Sequence, residues 1–241
     1  MDGMVMGPVW PRDLPASAEC DRPASLTVPK AGDHIPVRMK ITETVDLLAN
    51  GSFPASPEWE KACADVEAAI KATDWPHGSG TFTIYPESGK KRDEGNGVLP
   101  IKIPCVRKLE SLGWKKEGLP PENQEAVTTG DLDALIKTFA GWIGFEWETG
   151  NISSSHRALN KLLLALMRGD LVGGLLVVPS DKLKEYLTDR IGNIGELRPY
   201  FPLWSKVPVK NGALRIVVVE HDATSTAVPK IPKMTAGRAK G

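Results

Sequence analysis

The feature that most constrains the fold is a stretch of about 80 residues in the second half of the chain, where strand-like and helix-like segments alternate. Segment 142–148 alternates like a strand, and 156–168 carries the apolar stripe of an amphipathic helix. Segment 174–178 is a continuous apolar run, which is typical of a strand covered on both faces, and 214–219 reads as a further buried strand. A helix over 180–188 lies between them. This order predicts an α/β fold in which helices flank a central mixed sheet.

The first half of the chain is less regular. Segment 57–73 has helical spacing after a serine cap, and 81–85 alternates like a strand. Segment 98–112 is ambiguous, because its two prolines exclude a helix through its first half. We expect 132–139 to form a short helical turn.

Proline content and charge divide the chain into three parts. Residues 1–38 read as an irregular leader, since its prolines interrupt both helix and sheet; alternatively, translation starts at Met39. The length of 241 residues suits one sizeable domain, which we place at 39–228. Residues 229–241 form a basic tail.

Composition excludes several classes of function. Thirty basic residues balance thirty acidic ones, so binding of nucleic acid by bulk positive charge alone is excluded. No segment reaches the roughly 18 uninterrupted apolar residues of a membrane span, and the N-terminus does not resemble a secretion signal. Three widely spaced cysteines indicate reduced thiols, so we expect a cytoplasmic protein without a membrane partner.

The candidate chemistry lies in a pair of glutamates two residues apart. Glu146 and Glu148 project from the same face of the strand predicted at 142–148, because side chains alternate along a strand. Their mutual repulsion favours a bound cation, and Mg²⁺ is the usual oxygen-ligated ion in phosphoryl chemistry. Asp133 can reach the same point. The alternative is a solvent-exposed strand face that binds nothing.

Hydrogen-bonding side chains follow directly at a helix N-terminus, a place that favours phosphate. Asn151 and Ser153 are suited to base edges and Arg157 to a phosphate, although helix capping also accounts for serines here. Asp189 and Arg190 form a second polar pair, which suits either base contacts or an exposed ion pair.

One long run of sequence carries a family resemblance. Segment 144–161 (GFEWETGNISSSHRALNK) closely resembles the BamHI family of type II restriction endonucleases. Collinear matches follow at 186–190 (YLTDR), 96–102 (NGVLPIK) and 228–233 (VPKIPK), so the similarity extends over about residues 57–233.

The resemblance implies a restriction-endonuclease-like core, a homodimer that clamps duplex DNA, and Mg²⁺-dependent hydrolysis that leaves 5′-phosphate ends. By position, Asp133 and Glu146 resemble the metal ligands of the family. Glu148 resembles the residue that helps to activate water, and Glu117 resembles a fourth acidic residue of the catalytic site.

The resemblance also implies contacts with DNA. The positions that resemble base-reading residues are Asn151, Ser153, Asp189 and Arg190, and those that approach DNA are Lys102 and Arg157. Because the base-reading positions match, the expected recognition sequence is GGATCC. A cognate DNA methyltransferase encoded by the same system is expected, although not as a physical partner.

Two departures from the family pattern affect these expectations. The connection between Asp133 and Glu146 is a few residues shorter, which leaves Asp131 as an alternative to Asp133. Segment 202–205 and Arg168 replace polar positions of the family's dimer contacts, so we expect a dimer with a more apolar seam.

Two other functions compete with the enzyme. A DNA-binding protein of the same fold that no longer cuts gains nothing from retaining four carboxylates beside a phosphate. A nuclease of structured RNA is disfavoured, because the base-reading side chains suit a major groove that A-form RNA closes off.

Overall fold

The computed structural model describes residues 38–91, 94–120, 130–188 and 191–233. Six of its strands are β1 (Lys40–Asn50), β3 (Lys115–Gly118), β4 (Leu132–Lys137), β5 (Trp142–Trp147), β6 (Gly173–Pro179) and β7 (Gly212–Glu220). They form one sheet in the order β1-β7-β6-β5-β4-β3, and two short strands, β2 (Thr83–Ile84) and β8 (Ala223–Thr224), pair separately. The expected α/β fold with a central mixed sheet is confirmed.

The centre of the sheet is parallel and its flanks are antiparallel. β5 pairs in parallel with β6, and β6 with β7, whereas β1, β4 and β3 run antiparallel to their neighbours. Every residue of β5 and β6 is buried, as expected for parallel strands with helices on both faces.

Helices cover the sheet on two sides. The long ones are α1 (Pro57–Lys71), α2 (Leu99–Ser111) and α3 (Ile152–Arg168), and the short ones are α4 (Asp181–Lys184), α5 (Ile194–Leu197) and α6 (Phe201–Trp204). Two 3-10 turns occupy Phe53–Ala55 and Arg198–Tyr200. Side chains of α1 and α2 pack in one apolar cluster with Phe145, and those of α3 pack in a second cluster with Leu176.

Three predictions of secondary structure were wrong. Segment 98–112 is helical from Leu99, because Pro100 lies in the first turn, where a missing N–H costs nothing, and Pro104 removes only one bond from a helix held by buried side chains. Segment 132–139 contains the strand β4, in which the burial of Leu132, Ala134 and Leu135 reflects packing on both faces. The helix expected over 180–188 ends at Lys184.

The edges of the sheet also differ from expectation. β1 is an edge strand that the sequence patterns did not predict, and the strand expected at 81–85 contains only the two residues of β2. Within the described residues, no helix is long and apolar enough to cross a membrane. The leader 1–38 is described only at Arg38 and the tail only at 229–233, so the three-part organisation stays a prediction.

Candidate active site

A cavity of about 310 Å³ lies where β5 ends and α3 begins. Among the residues that line it, the charged ones are Lys102, Asp131, Asp133, Glu146, Glu148, Arg157 and Lys161. Five of the ten predicted site residues are thus brought together.

Strand pairing brings the two principal carboxylates together. The register that pairs Ala134 with Phe145 across β4 and β5 places Asp133 opposite Glu146. Opposite residues of neighbouring strands project from the same face of a sheet, so both side chains enter the cavity. The backbone N–H of Trp147 donates to Asp133 Oδ2 at 2.8 Å and orients that carboxylate.

Each of these carboxylates has a lysine as its charged partner. Lys102 of α2 pairs with Asp133, and Lys161 of α3 pairs with Glu146. Glu146 Oε1 is buried and contacts the Lys161 ammonium directly. The Lys161 ammonium also donates to the backbone oxygen of Asp131 at 2.6 Å.

Burial changes the acidity of both glutamates. It raises the pKa of Glu146 to about 7, with a further contribution from the charge of Asp133, and the nearby Lys161 opposes the rise. Burial also raises the pKa of Glu148, against the effect of the Gly150 N–H, which donates to Glu148 Oε1 at 2.6 Å. A raised pKa brings these groups closer to neutral pH, where proton transfer by a carboxyl group is efficient.

Two further acids lie at the border of the cavity. Asp131 is exposed and contributes its backbone oxygen to Lys161, whereas the Asp133 carboxylate faces Glu146 directly. The register that pairs Lys116 with Ala134 places Glu117 opposite Asp133, but Glu117 is exposed, has a φ of 44° and does not line the cavity.

The N-terminus of α3 lies beside the acids. Asn151 caps the helix by accepting the Ser154 N–H at 3.0 Å, so α3 begins at Ile152, four residues before the start that its apolar stripe predicted. Asn151, Ser153 and Arg157 are exposed on this end of the helix, and Arg157 also lines the cavity. The N-terminus of α3 is therefore accessible to a ligand that binds over the carboxylates of the cavity.

Asp189 and Arg190 lie outside the described residues. The residues that flank them are held in place, since Ile191 forms a bridge with Asn151 and Gly192 N–H donates to the backbone oxygen of Gly150 at 2.9 Å. The chain that follows this pair, at Ile191 and Gly192, therefore lies next to the N-terminus of α3.

A buried asparagine, Asn96, holds the chain that leads up to Thr188. Asn96 Nδ2 donates to the backbone oxygens of Tyr85 and Tyr186, both at 2.8 Å, and its Oδ1 accepts the Ile231 N–H at 3.1 Å. The Thr188 N–H donates to the backbone oxygen of Asn96 at 3.0 Å. One side chain thus ties together three segments that are distant in sequence.

The sequence patterns had assigned no role to Asn96 or Lys161. Lys161 follows the buried Ala158 by three residues, which places it on the border of the apolar stripe of α3, and this spacing was the available signal. Asn96 carried none, because a polar residue in a glycine-bearing loop normally faces solvent.

A solved structure identifies the fold. A solved structure described as restriction endonuclease BglII complexed with a DNA 16-mer matches with a TM-score of 0.51 and 12% sequence identity, and the match covers 76% of this chain and 79% of that one. The fold is therefore that of the restriction endonucleases, as the family resemblance implied.

The family follows from sequence. The family model described as restriction endonuclease BamHI matches residues 39–238, and the chain belongs to this family of restriction endonucleases. The type II restriction enzyme OkrAI of Oceanobacter kriegii is 42% identical over 201 residues, which cover 83% of this chain and 99% of that protein. The type II restriction enzyme BamHI of Bacillus amyloliquefaciens is 35% identical over 187 residues, which cover 75% and 84%. The predicted family and class of enzyme are confirmed.

Proposed function

We propose that the protein is a type II restriction endonuclease that hydrolyses duplex DNA at the palindrome GGATCC, requires Mg²⁺ and leaves 5′-phosphate ends. The observation that carries the proposal is the convergence of Asp133, Glu146 and Glu148 on one cavity beside the N-terminus of α3. Two relatives named as type II restriction enzymes and a relative of the same fold bound to DNA support it.

Asp133 and Glu146 would hold the Mg²⁺ ion. Among the described residues, no group of three or more Asp, Glu, His or Cys side chains is arranged to hold a metal ion, and the ammonium groups of Lys102 and Lys161 pair with the two carboxylates. The donors nevertheless fit, since Mg²⁺ prefers carboxylate oxygen and needs only one or two protein carboxylates. When bound, the ion supplies a Lewis acid that polarises a phosphate and acidifies water.

Glu148 would accept a proton from water. It follows β5 on the same side as Glu146, and the Gly150 N–H fixes one of its oxygens, which leaves the other for a water molecule. Glu117 is the weakest of the proposed catalytic residues, because it lies beside the cavity rather than in it.

Charge in the cavity suits a phosphodiester. Four carboxylates and three cationic side chains, Lys102, Lys161 and Arg157, line the cavity, so its net charge is −1 when every carboxylate is ionised. A divalent cation would invert that sign, so that a singly charged phosphate is attracted. Lys102 and Arg157 reach the cavity from two different helices and would contact the DNA backbone there.

The exposed end of α3 would read bases. Asn151 and Ser153 present short polar side chains that suit base edges in a major groove, and the pair Asp189 and Arg190 completes the proposed set. Arg190 would bind guanine through two hydrogen bonds.

A second copy of the chain would bind along α3 and α6. Leu203, Tyr200 and Met167 are exposed apolar side chains, and a cavity of about 760 Å³ lies along α3, lined by His156, Leu164 and Tyr200 among others. A homodimer that covers this face would place two cavities on opposite strands of a palindrome.

A plasmid digest with purified full-length protein tests the function. With Mg²⁺ we expect a ladder that corresponds to the mapped GGATCC sites, and with Ca²⁺ we expect specific binding without cutting. A different ladder would refute the proposed recognition sequence. Specific binding in Ca²⁺ with intact plasmid in Mg²⁺ would instead indicate a DNA-binding protein that no longer cuts.

A further inference from the structure

Lys161 is the most enclosed cation of the acidic cavity. Its side chain is 10% exposed, against 31% for Lys102, and its partner Glu146 is 7% exposed. Little solvent separates the two charges or screens them from a third. Any ion that binds Glu146 is therefore in direct competition with the Lys161 ammonium.

The ammonium has a second acceptor within reach. It donates to the backbone oxygen of Asp131 at 2.6 Å while it contacts Glu146 Oε1. The side chain can therefore release Glu146 and keep one strong hydrogen bond, so its removal from the carboxylate does not leave a buried charge without a partner.

Lys161 is the cation that contacts Glu146 directly. Its ammonium lies against Glu146 Oε1 and also donates to the backbone oxygen of Asp131, so its charge is shared between two acceptors. The oxygen that would bind a metal ion is therefore the one that Lys161 neutralises.

We infer that Lys161 is a tethered competitor for the divalent cation: its ammonium neutralises Glu146 in the metal-free protein and must move towards Asp131 when a metal binds. Lys161 thereby holds the DNA-free protein in a state with low metal affinity. The inference rests on the proposed metal site and adds to it a positioning residue that α3 carries together with the proposed base-reading side chains.

DNA is expected to relieve the competition. A phosphate that enters the cavity adds negative charge beside the ammonium and a further oxygen for the ion, so DNA and metal strengthen each other's binding. Without Lys161 this mutual effect becomes smaller, because the metal affinity of the DNA-free protein is already high.

The test is calorimetric titration of Ca²⁺ into the full-length, DNA-free protein at pH 8.5, comparing the wild type with Lys161→Met. We expect about a tenfold or larger increase in Ca²⁺ affinity for the variant, because a neighbouring positive charge has been removed. Lys161→Arg keeps the charge and should behave as the wild type. Lys184→Met is the matched control, since Lys184 pairs with Glu196 outside the cavity.

An unchanged or lower Ca²⁺ affinity in Lys161→Met would overturn the inference, and a lower melting temperature alone would assign the pair a structural role. If that variant does not fold, the side-chain ¹⁵N resonance of Lys161 in the wild type decides, since saturating Ca²⁺ should shift it and an unmoved signal would contradict the inference. Glu146→Gln tests the proposed metal site separately from the proposed role of Lys161. If it binds Ca²⁺ as the wild type does, the proposed metal site is wrong, whereas loss of binding confirms the site and leaves Lys161 to be judged alone.

Discussion

Replacing Glu146 by glutamine should stabilise the metal-free protein at alkaline pH. Burial raises the pKa of Glu146 from 4.5 to about 7, and Lys161 offsets only part of that rise. Each pH unit between the two pKa values is worth about 1.4 kcal/mol, so ionised Glu146 costs the fold about 3 kcal/mol.

The upward direction of the Glu146 pKa shift determines the pH range in which the variant gains stability. The folded protein holds the Glu146 proton more tightly than the unfolded chain does, so the stability from this group is fully present below pH 4.5 and is lost as pH rises through about 7. Glutamine resembles the protonated acid at every pH. Glu146→Gln should therefore match the wild type near pH 4.5 and exceed its free energy of unfolding by about 3 kcal/mol at pH 8.5.

Urea denaturation in the presence of a chelator, followed by the fluorescence of the seven tryptophans, measures this difference. Glu110→Gln serves as the control, since it removes an exposed carboxylate at the end of α2 and should change stability by less than about 0.5 kcal/mol. The reasoning would be refuted if Glu146→Gln were less stable than the wild type at pH 8.5, or if both proteins lost stability in parallel between pH 5 and 8.

Four other substitutions test the site and its supports. Glu148→Ala should abolish cleavage in Mg²⁺ and retain specific DNA binding in Ca²⁺, and cutting at a near-normal rate would contradict its proposed role. Arg190→Ala should weaken specific binding by about 1–3 kcal/mol in a titration at fixed salt, with little change for non-specific DNA. Leu203→Asp should convert a dimer to a monomer in sedimentation while its melting temperature stays close to that of the wild type, because Leu203 is 68% exposed. Asn96→Asp should cost at least about 2 kcal/mol in urea denaturation, because a carboxylate oxygen would face the backbone oxygens of Tyr85 and Tyr186.

The sequence predicted the core of the sheet because its patterns there are simple. β6 is a continuous apolar run, β7 is mostly apolar, and α3 has a clear apolar stripe, so each of these patterns predicts one kind of element. β4 was mistaken for a helical turn, because burial on both faces removes the alternation that marks a strand. β1 is an edge strand with polar side chains, and its regularity comes from pairing with β7 rather than from its own pattern.

The candidate site was predictable only where one strand defined it. Glu146 and Glu148 share a face by strand periodicity alone, whereas the opposition of Asp133 and Glu146 depends on the register between β4 and β5. The pairing of Lys161 with Glu146 depends on how α3 packs across the sheet, and local periodicity says nothing about that distance. The roles of these residues stay predictions until the variants are assayed.

The span from Glu148 to Asn151 connects a proposed catalytic residue to a proposed base-reading residue. The Gly150 N–H donates to the Glu148 carboxylate, and the Gly150 backbone oxygen accepts the N–H of Gly192. A laboratory selection for a new target sequence that altered Asn151 would therefore shift the backbone that orients Glu148, and turnover would fall before discrimination improved.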